Sequence, residues 1–353
     1  MPISSMHYVD CCDFTIASEI AWPVSFPASR EPEVEIRYRN PPTDLGEGGE
    51  RGFRFHAKPN ELLICMDGVA RYLIRGGKEI WIEPFPHADE ESIFAFLQSS
   101  VLGVLLLQRR FLVLNGGVFN VKGEGVALVG RSRAGKSTLA AAFQHQGASI
   151  FSDELCAVKQ DSSGRMMAWP VLPALSLWEN ALIQQGYDVT KLHSIRPNIR
   201  KYRVPTHARS LSPVPLTAVV ELKDNRGGLL WKAADMKEAL TLVLENTYRH
   251  RFLAGMALKD AHFLQSSALI QQACFYIAQR NLTVTSEDAF FHFVRTSLAL
   301  RYPHEFSKLV VPAGMPEPSA MDGNVVTFQV LNKSGLPFKV SHPCDWMLAS
   351  LPA

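Results

Sequence analysis

Gly125-Val-Ala-Leu-Val-Gly130-Arg131-Ser132-Arg133-Ala134-Gly135-Lys136-Ser137-Thr138-Leu-Ala-Ala-Ala-Phe-Gln-His145 is the stretch on which the reading of this chain turns. Residues Gly130 to Ser137 fit the spacing G-x-x-x-x-G-K-[ST], a phosphate-binding loop. In such a loop backbone N–H groups wrap phosphates, the lysine reaches the β/γ-phosphates and the hydroxyl sits on Mg²⁺. Val126–Val129 reads as a buried strand before the loop, and the run from Thr138 to His145 reads as a helix closed by Gly147. That order aims a helix N-terminus at an anion. The expected nucleotide contacts are therefore Gly130, Ser132, Arg133, Ala134, Gly135, Lys136, Ser137 and Thr138.

The next strand, Ser149–Ser152, ends in Asp153-Glu154, so Asp153 follows Lys136 by 17 residues (153 − 136). A parallel α/β sheet would bring the end of that strand beside the phosphates. The chain has no LSGGQ-like signature of transport ATPases and no Asn-Lys-x-Asp motif of GTPases. The acidic pair then reads as that of a compact kinase, one carboxylate accepting the proton of the attacking hydroxyl and one helping to hold Mg²⁺. Ser137, Asp153 and Glu154 are the expected metal residues. Adjacent residues on a strand point opposite ways, which favours Asp153 over Glu154.

Outward from this core, the 353-residue chain is long enough for two domains, or for one with appendages. Apolar residues make up 47% and charged residues 20%, and the net charge is +2, so no global field selects a nucleic-acid or membrane partner. Six cysteines form neither a C-x-x-C pair nor a cluster with zinc spacing. The first residues lack a signal-peptide pattern, and the apolar run Val101 to Leu107 is too short to span a bilayer. A reduced, cytoplasmic protein is expected.

Residues 1–110 read as a β-rich module with one helix. Val34 to Arg39 alternates, and Leu62–Cys65, Ala70–Ile74 and Glu79–Ile82 are punctuated by Asp67-Gly68 and Gly76-Gly77 as hairpins are. Glu90 to Gln108 has helical periodicity. Beyond it come short strands at Leu112–Leu114, Val118–Val121 and Val126–Val129. Leu216–Leu222 and Leu229–Lys232 read as a hairpin around Asp224 to Gly228. Helices are expected at Met236–Glu245, Ala261–Ala278 and Ser286–Leu300. From Val310 onward Val325–Val330 is the convincing strand in a small appendage or poorly ordered tail.

Leu112 to Phe119, Gly123 to Thr138 and Gly147 to Glu154 together resemble the core of HPr serine kinases and their relatives. These include kinases in biosynthetic clusters for ribosomal peptides, notably lasso-peptide kinases; phosphoenolpyruvate carboxykinase has a more distant form of the core. The specific resemblance covers about residues 111 to 160, with a looser likeness of layout from Met66 to Leu300. It implies ATP- and Mg²⁺-dependent phosphorylation of a serine hydroxyl on a peptide or small protein, and family members often form oligomers. By position, Lys136 and Ser137 match the phosphate lysine and the Mg²⁺ serine, and Asp153 the expected base. Three residues depart from the pattern: Asn115 replaces a histidine, Arg133-Ala134 occupies positions that usually include glycine, and Glu154 replaces an aspartate. The fold class implied is α/β, a P-loop kinase core of the HPr kinase type (111–309) with a β-rich N-terminal module (1–110), C-terminal helices and a tail (310–353).

Phosphoryl transfer needs cations on the migrating group. Lys191 to Arg209 holds Lys191, Arg196, Arg200, Lys201, Arg203 and Arg209 with no Asp or Glu, and Arg200 and Lys201 are the expected active-site cations; a solvated basic loop is the plainer alternative. Tyr248-Arg-His-Arg251 reads either as a further phosphate contact or, more plainly, as a basic helix end. Trp169, Trp178 and Trp231 read as packing, and Cys156 as a small buried hydrophobe. Two other readings stay open: a kinase of a free small-molecule hydroxyl, and a non-catalytic ATP-responsive binding protein.

Overall fold

The computed structural model describes residues 6–23, 26–197, 199–206, 212–224, 229–281, 290–291, 294–295, 308–311, 325–331 and 337–343. Nine strands open the chain: β1 His7–Cys11, β2 Phe14–Ser18, β3 Phe26–Pro27, β4 Pro32–Tyr38, β5 Glu50–Gly52, β6 Phe55–Lys58, β7 Glu61–Met66, β8 Ala70–Arg75 and β9 Glu79–Pro84. They form one sheet in the order β3-β1-β2-β4-β9-β8-β7-β6-β5. The alternation read in β4 is real: Val34 and Ile36 are buried and their neighbours Glu33 and Glu35 exposed.

A long helical stretch follows in three pieces: α1 Glu90–Phe96, a π-helical turn Leu97–Val101, and α2 Leu102–Gln108. Asp89 caps α1 by accepting from the Ser92 N–H at 2.7 Å. The 19 residues Glu90–Gln108 are long and apolar enough to cross a membrane, but 72% of the most apolar window is buried inside the fold. Their apolar surface joins β1–β9 to Phe111, Val113, Leu155, Ala157, Tyr248 and Phe252 in a single cluster, so packing is continuous across residue 110.

The second half is built from β10 Leu112–Val121, β11 Glu124–Val129, α3 Lys136–His145, β12 Ser149–Ser152, β13 Leu155–Gln160, β14 Met166–Trp169, β15 Ala174–Trp178, α4 Glu179–Gln184, β16 Lys201–Pro205, β17 Val214–Asp224, β18 Leu229–Ala233, α5 Met236–Asn246, α6 Lys259–Gln272 and β19 Cys274–Arg280. Strand pairing closes a circuit through β11, β10, β13, β14 and β17, with β11, β17 and β19 parallel. The chain is thus mixed α/β, with several sheets and few helices.

Several local expectations are corrected. Leu112–Leu114 and Val118–Val121 are one ten-residue strand, because Gly116 and Gly117 continue it instead of turning it. β17 and β18 are not a hairpin; β19 lies between them, parallel to β17 and antiparallel to β18. The helix expected to run to Ala278 stops at Gln272, where Ala273 is extended and Cys274-Phe-Tyr-Ile begins a strand rich in aromatic and β-branched residues. The tail after 310 holds β21 Val325–Leu331 and β22 Pro337–Pro343, joined through β20 Lys308–Val311 to β18. The helix expected at Ser286–Leu300 falls mostly outside the described residues, as do His207 and Arg209.

Candidate active site

The central strand β10 decides where the chemistry-bearing residues meet. It runs antiparallel to β11 on one side (Gly116 opposite Val129) and to β12 on the other (Val118 opposite Ser152). β11 and β12 therefore point the same way, and their C-terminal ends emerge on either side of Gly116 and Gly117. The sequence reading reached the right convergence by a different route: β12 is not a parallel neighbour of β11, since β10 separates them. The glycines make the convergence tight. A Cβ on Gly116 would lie 2.2 Å from the Leu128 carbonyl oxygen, and one on Gly117 3.1 Å from that of Ser152.

From the end of β11 the loop turns through Gly130 (φ +130°), Arg133 (φ +68°) and Gly135 (φ +90°) into α3. A Cβ at Gly130 would meet the Leu222 carbonyl oxygen at 2.6 Å. Arg133 adopts a left-handed conformation that a long side chain rarely takes, and its guanidinium lies over the Trp178 ring, 5.8 Å from the centroid. No side chain caps the first turn of α3, which leaves its N–H groups to the loop and to whatever anion lies there. The Lys136 ammonium donates to the carbonyls of Gly130 (2.8 Å) and Arg131 (2.9 Å), closing the loop on itself. Burial pulls the Lys136 pKa below its ordinary value, and the charge of Asp153 opposes that shift.

Asp153, only 5% exposed, joins the loop to the acid turn. Its Oδ2 accepts from the Ser137 hydroxyl at 3.0 Å and from the Ser176 N–H at 2.9 Å, whereas Oδ1 is buried without a hydrogen-bond partner. Burial raises the Asp153 pKa above the usual carboxylate range; the Lys201 charge works the other way. Glu154 faces Lys201, whose ammonium reaches its Oε1 at 3.0 Å. Ser137 and Asp153 are thus brought together as expected, and the Glu154 carboxylate is engaged by a lysine.

The basic segment splits. Lys201, 16% exposed in its side chain, enters the site. Arg200 does not: its side chain is 82% exposed and leans on Glu179 at 3.6 Å, because consecutive residues entering β16 point to opposite faces. Arg196 and Arg203 lie over the Phe96 and Phe94 rings of the long helix, at 4.9 Å and 5.1 Å.

These groups line a cleft of about 800 Å³. Ser132, Arg133, Gly135, Lys136, Ser137 and Thr138 form one wall, whereas Gly130 and Ala134, also expected as contacts, do not line it. Asn115 and the acid turn form the floor. One part went unread in the sequence, and two were given a plainer reading. Arg280, 2% exposed at the end of β19, abuts the loop so closely that a Cβ on Gly135 would lie 2.4 Å from its Nη2. Its only signal was a lone cation ending an apolar run, hidden by reading that run as helix. Trp178, 43% exposed, lines the cleft instead of packing inside. The turn from Tyr248 to Arg251, read more plainly as a helix end, forms the opposite wall. Cys156 is fully buried and its thiol is pushed up to about 12, as suits an inert hydrophobe.

The donor set fits a nucleotide and its cation. A buried carboxylate beside a hydroxyl, at an uncapped helix start, suits Mg²⁺ held partly by phosphates. Among the described residues no group of three His, Cys, Asp or Glu side chains forms a cation cage without such help.

No family model matches the chain, and no curated protein matches it. Among solved structures, the HPr(Ser) kinase/phosphatase from Coxiella burnetii aligns with 53% of this chain and 90% of its own, at 10% identity and a TM-score of 0.28.

Proposed function

We propose that this protein is a Mg²⁺- and ATP-dependent phosphotransferase with a P-loop core, acting on a serine hydroxyl of a peptide or small protein such as a ribosomally made precursor. The observation that carries the reading is the 3.0 Å contact between the Ser137 hydroxyl and Asp153, made where the glycine loop, the start of α3 and the acid turn converge. The loop N–H groups and Lys136 hold the phosphates, and Arg280 adds charge behind Gly135. Trp178, with Arg133 against it, offers a face to the base. Ser137 and Asp153 Oδ2 would hold Mg²⁺, which would neutralise phosphate charge there.

The chain's own residues do the rest. The serine oxygen bonds to the γ-phosphorus while the bond to the β,γ-bridging oxygen breaks, and that electron pair leaves with ADP. The serine proton passes to Asp153 Oδ1. Oδ1 is the buried carboxylate oxygen without a hydrogen-bond partner, and so the one free to take that proton. Lys201 neutralises Glu154, keeping a second full negative charge off the approaching phosphate.

That same ion pair is what favours the binding-only alternative, since it occupies the second carboxylate of the acid turn. The test is transfer from labelled Mg-ATP to serine peptides, a small carrier protein and free hydroxy metabolites, beside Asp153→Asn and Lys136→Ala. Label on a peptide or protein, abolished by both substitutions, supports the proposal. Label on metabolites alone moves the acceptor class. Nucleotide binding with neither transfer nor hydrolysis refutes an enzyme.

A further inference from the structure

The wall opposite the loop carries two backbone irregularities that face each other. Arg249 has φ +51° and ψ +39°, a left-handed conformation that a long side chain rarely adopts and that clusters at functional sites. Across from it the long helix widens into the π turn Leu97–Val101, another feature common at functional sites. The two are tied: the Arg249 guanidinium donates to the Ser100 hydroxyl at 2.7 Å, and Ser99 lines the cleft beside it. Gly103 completes the fit, because a Cβ there would lie 2.5 Å from the Tyr248 ring.

The position of this wall is fixed by β10. The Tyr248 N–H donates to the Val113 carbonyl at 2.8 Å, and Leu114 bridges Thr247. On the other side of the same strand Asn115 pairs with Leu155, and the Gly116 N–H donates to the Glu154 carbonyl at 3.2 Å. The basic turn and the acid turn therefore flank Asn115, whose exposed side chain lies on the floor between them. A substrate lying across Asn115 would touch Asp153 at one end and the arginines at the other.

The arginines are positioned for an anion. Arg251 sits over Phe55 and Phe252, 5.3 Å and 5.0 Å from their centroids, which holds the guanidinium without discharging it. Neither Arg249 nor Arg251 forms an ion pair among the described residues, although exposed Glu245 shares the wall. Partial burial pulls the Arg251 pKa below its ordinary value, and the Arg249 charge adds to that pull.

We propose that the Tyr248–Arg251 turn and the π turn Leu97–Val101 form the acceptor subsite, and that it selects a peptide whose serine has a carboxylate side chain close by. The inference rests on the phosphotransferase reading for the role of the hydroxyl, but the anion site stands on its own geometry.

The test compares serine peptides matched except for Asp or Asn beside the serine, with glycerate and free serine as small carboxylate-bearing alternatives. The wild type, Arg249→Gln and Arg251→Gln are measured for kcat/KM, Mg-ATP affinity, thermal midpoint and anisotropy of the labelled Asp peptide. A charge-assisted contact of this kind predicts a preference for the Asp peptide of roughly 10- to 100-fold. Each substitution should erase about that much on the Asp peptide and little on the Asn peptide, with nucleotide affinity and melting unchanged. Equal kcat/KM on both peptides, or equal losses on both, overturns the subsite while leaving the phosphotransferase intact. If no peptide is phosphorylated, binding of the Asp peptide that Arg251→Gln abolishes keeps the subsite and rejects transfer, and absent binding rejects the subsite. Arginine-dependent transfer to glycerate or serine alone overturns the peptide assignment.

Discussion

Gly116→Ala tests the architecture most directly. The added Cβ would lie 2.2 Å from the Leu128 carbonyl oxygen, 2.9 Å from Val129 Cγ1 and 3.0 Å from the Leu128 carbonyl carbon. Two of these contacts are backbone atoms of β11, which no side-chain rotation relieves. Restoring ordinary separations requires β10 and β11 to part by about 1 Å. Overpacking of that order costs about 1–3 kcal/mol, or a fall in thermal midpoint of roughly 2–12 °C at 2–4 °C per kcal/mol. The displacement is delivered at Val129, the residue before the loop, so nucleotide affinity should fall with stability. Gly117→Ala is the contrast. Its Cβ would lie 3.1 Å and 3.2 Å from the Ser152 and Asp153 carbonyl oxygens, contacts relieved by a few tenths of an ångström. That variant should melt within about 1 kcal/mol of wild type, bind nucleotide normally and lose transfer, because the shift falls on Asp153. Misplacing a reacting group by about 1 Å costs roughly 100-fold in rate, so a smaller shift predicts a smaller loss. The measurements are melting by circular dichroism and the Kd of a fluorescent ATP analogue for both variants. A Gly116→Ala protein that melts and binds nucleotide like the wild type would refute the claim that β10 sets the spacing of loop and acid turn.

Further predictions follow from the electrostatics. Because Lys201 lowers and Glu154 raises the Asp153 pKa, Lys201→Met should move the acid limb of kcat/KM to higher pH and Glu154→Gln should move it to lower pH; shifts of the same sign would remove Asp153 as the titrating base. The raised Asp153 pKa means the folded state holds that proton more tightly than the unfolded chain. Its contribution to stability is present below the ordinary carboxylate value and is lost as pH rises through the folded value. Asp153→Asn should therefore abolish that part of the decline and cut transfer by about 10²- to 10⁴-fold, seen by denaturant melts across pH 4–8 and by steady-state rates. Trp178→Ala should weaken nucleotide binding by about 5- to 100-fold, corresponding to about 1–3 kcal/mol of stacking, and spare tripolyphosphate binding; calorimetry with both ligands distinguishes a base contact from general damage.

What could be read from the sequence tracks how local the determining physics is. The loop is set by residues within eight positions, and α3, expected from Thr138, starts two residues earlier at Lys136 and ends at His145 as expected. The alternation of β4 and the start of the long helix at Glu90 are equally local. Long-range pairing was not legible: nothing in Leu216–Lys232 announces that β19, some fifty residues later, will separate the two strands. Misreading Cys274–Ala278 as the end of a helix had a functional cost, since it hid the strand that carries Arg280 at its tip beside the loop. Likewise Arg200 and Lys201 differ by one residue and were given one role, yet strand alternation sends one outward to Glu179 and the other to Glu154.

The three departures from the expected family pattern gain a common meaning once the cleft is assembled. Glycine at position 133 would relax the loop, but Arg133 at φ +68° accepts backbone strain and places its guanidinium on Trp178, coupling loop shape to the ring proposed to meet the base. Glu154 is one methylene longer than aspartate, a reach used on Lys201 at 3.0 Å. Asn115 carries no charge and cannot relay a proton as histidine can. It is also the residue flanked by the acid turn and the basic turn, where a neutral hydrogen-bonding side chain avoids adding a cation close to Lys201 and Arg249. Arg133 and Glu154 thus each have a partner in the same cleft, and replacing one alone should cost more than replacing it together with that partner. A Glu154→Asp variant that retains full activity beside an unchanged Lys201 would break this argument, because the shorter arm would then hold the lysine equally well.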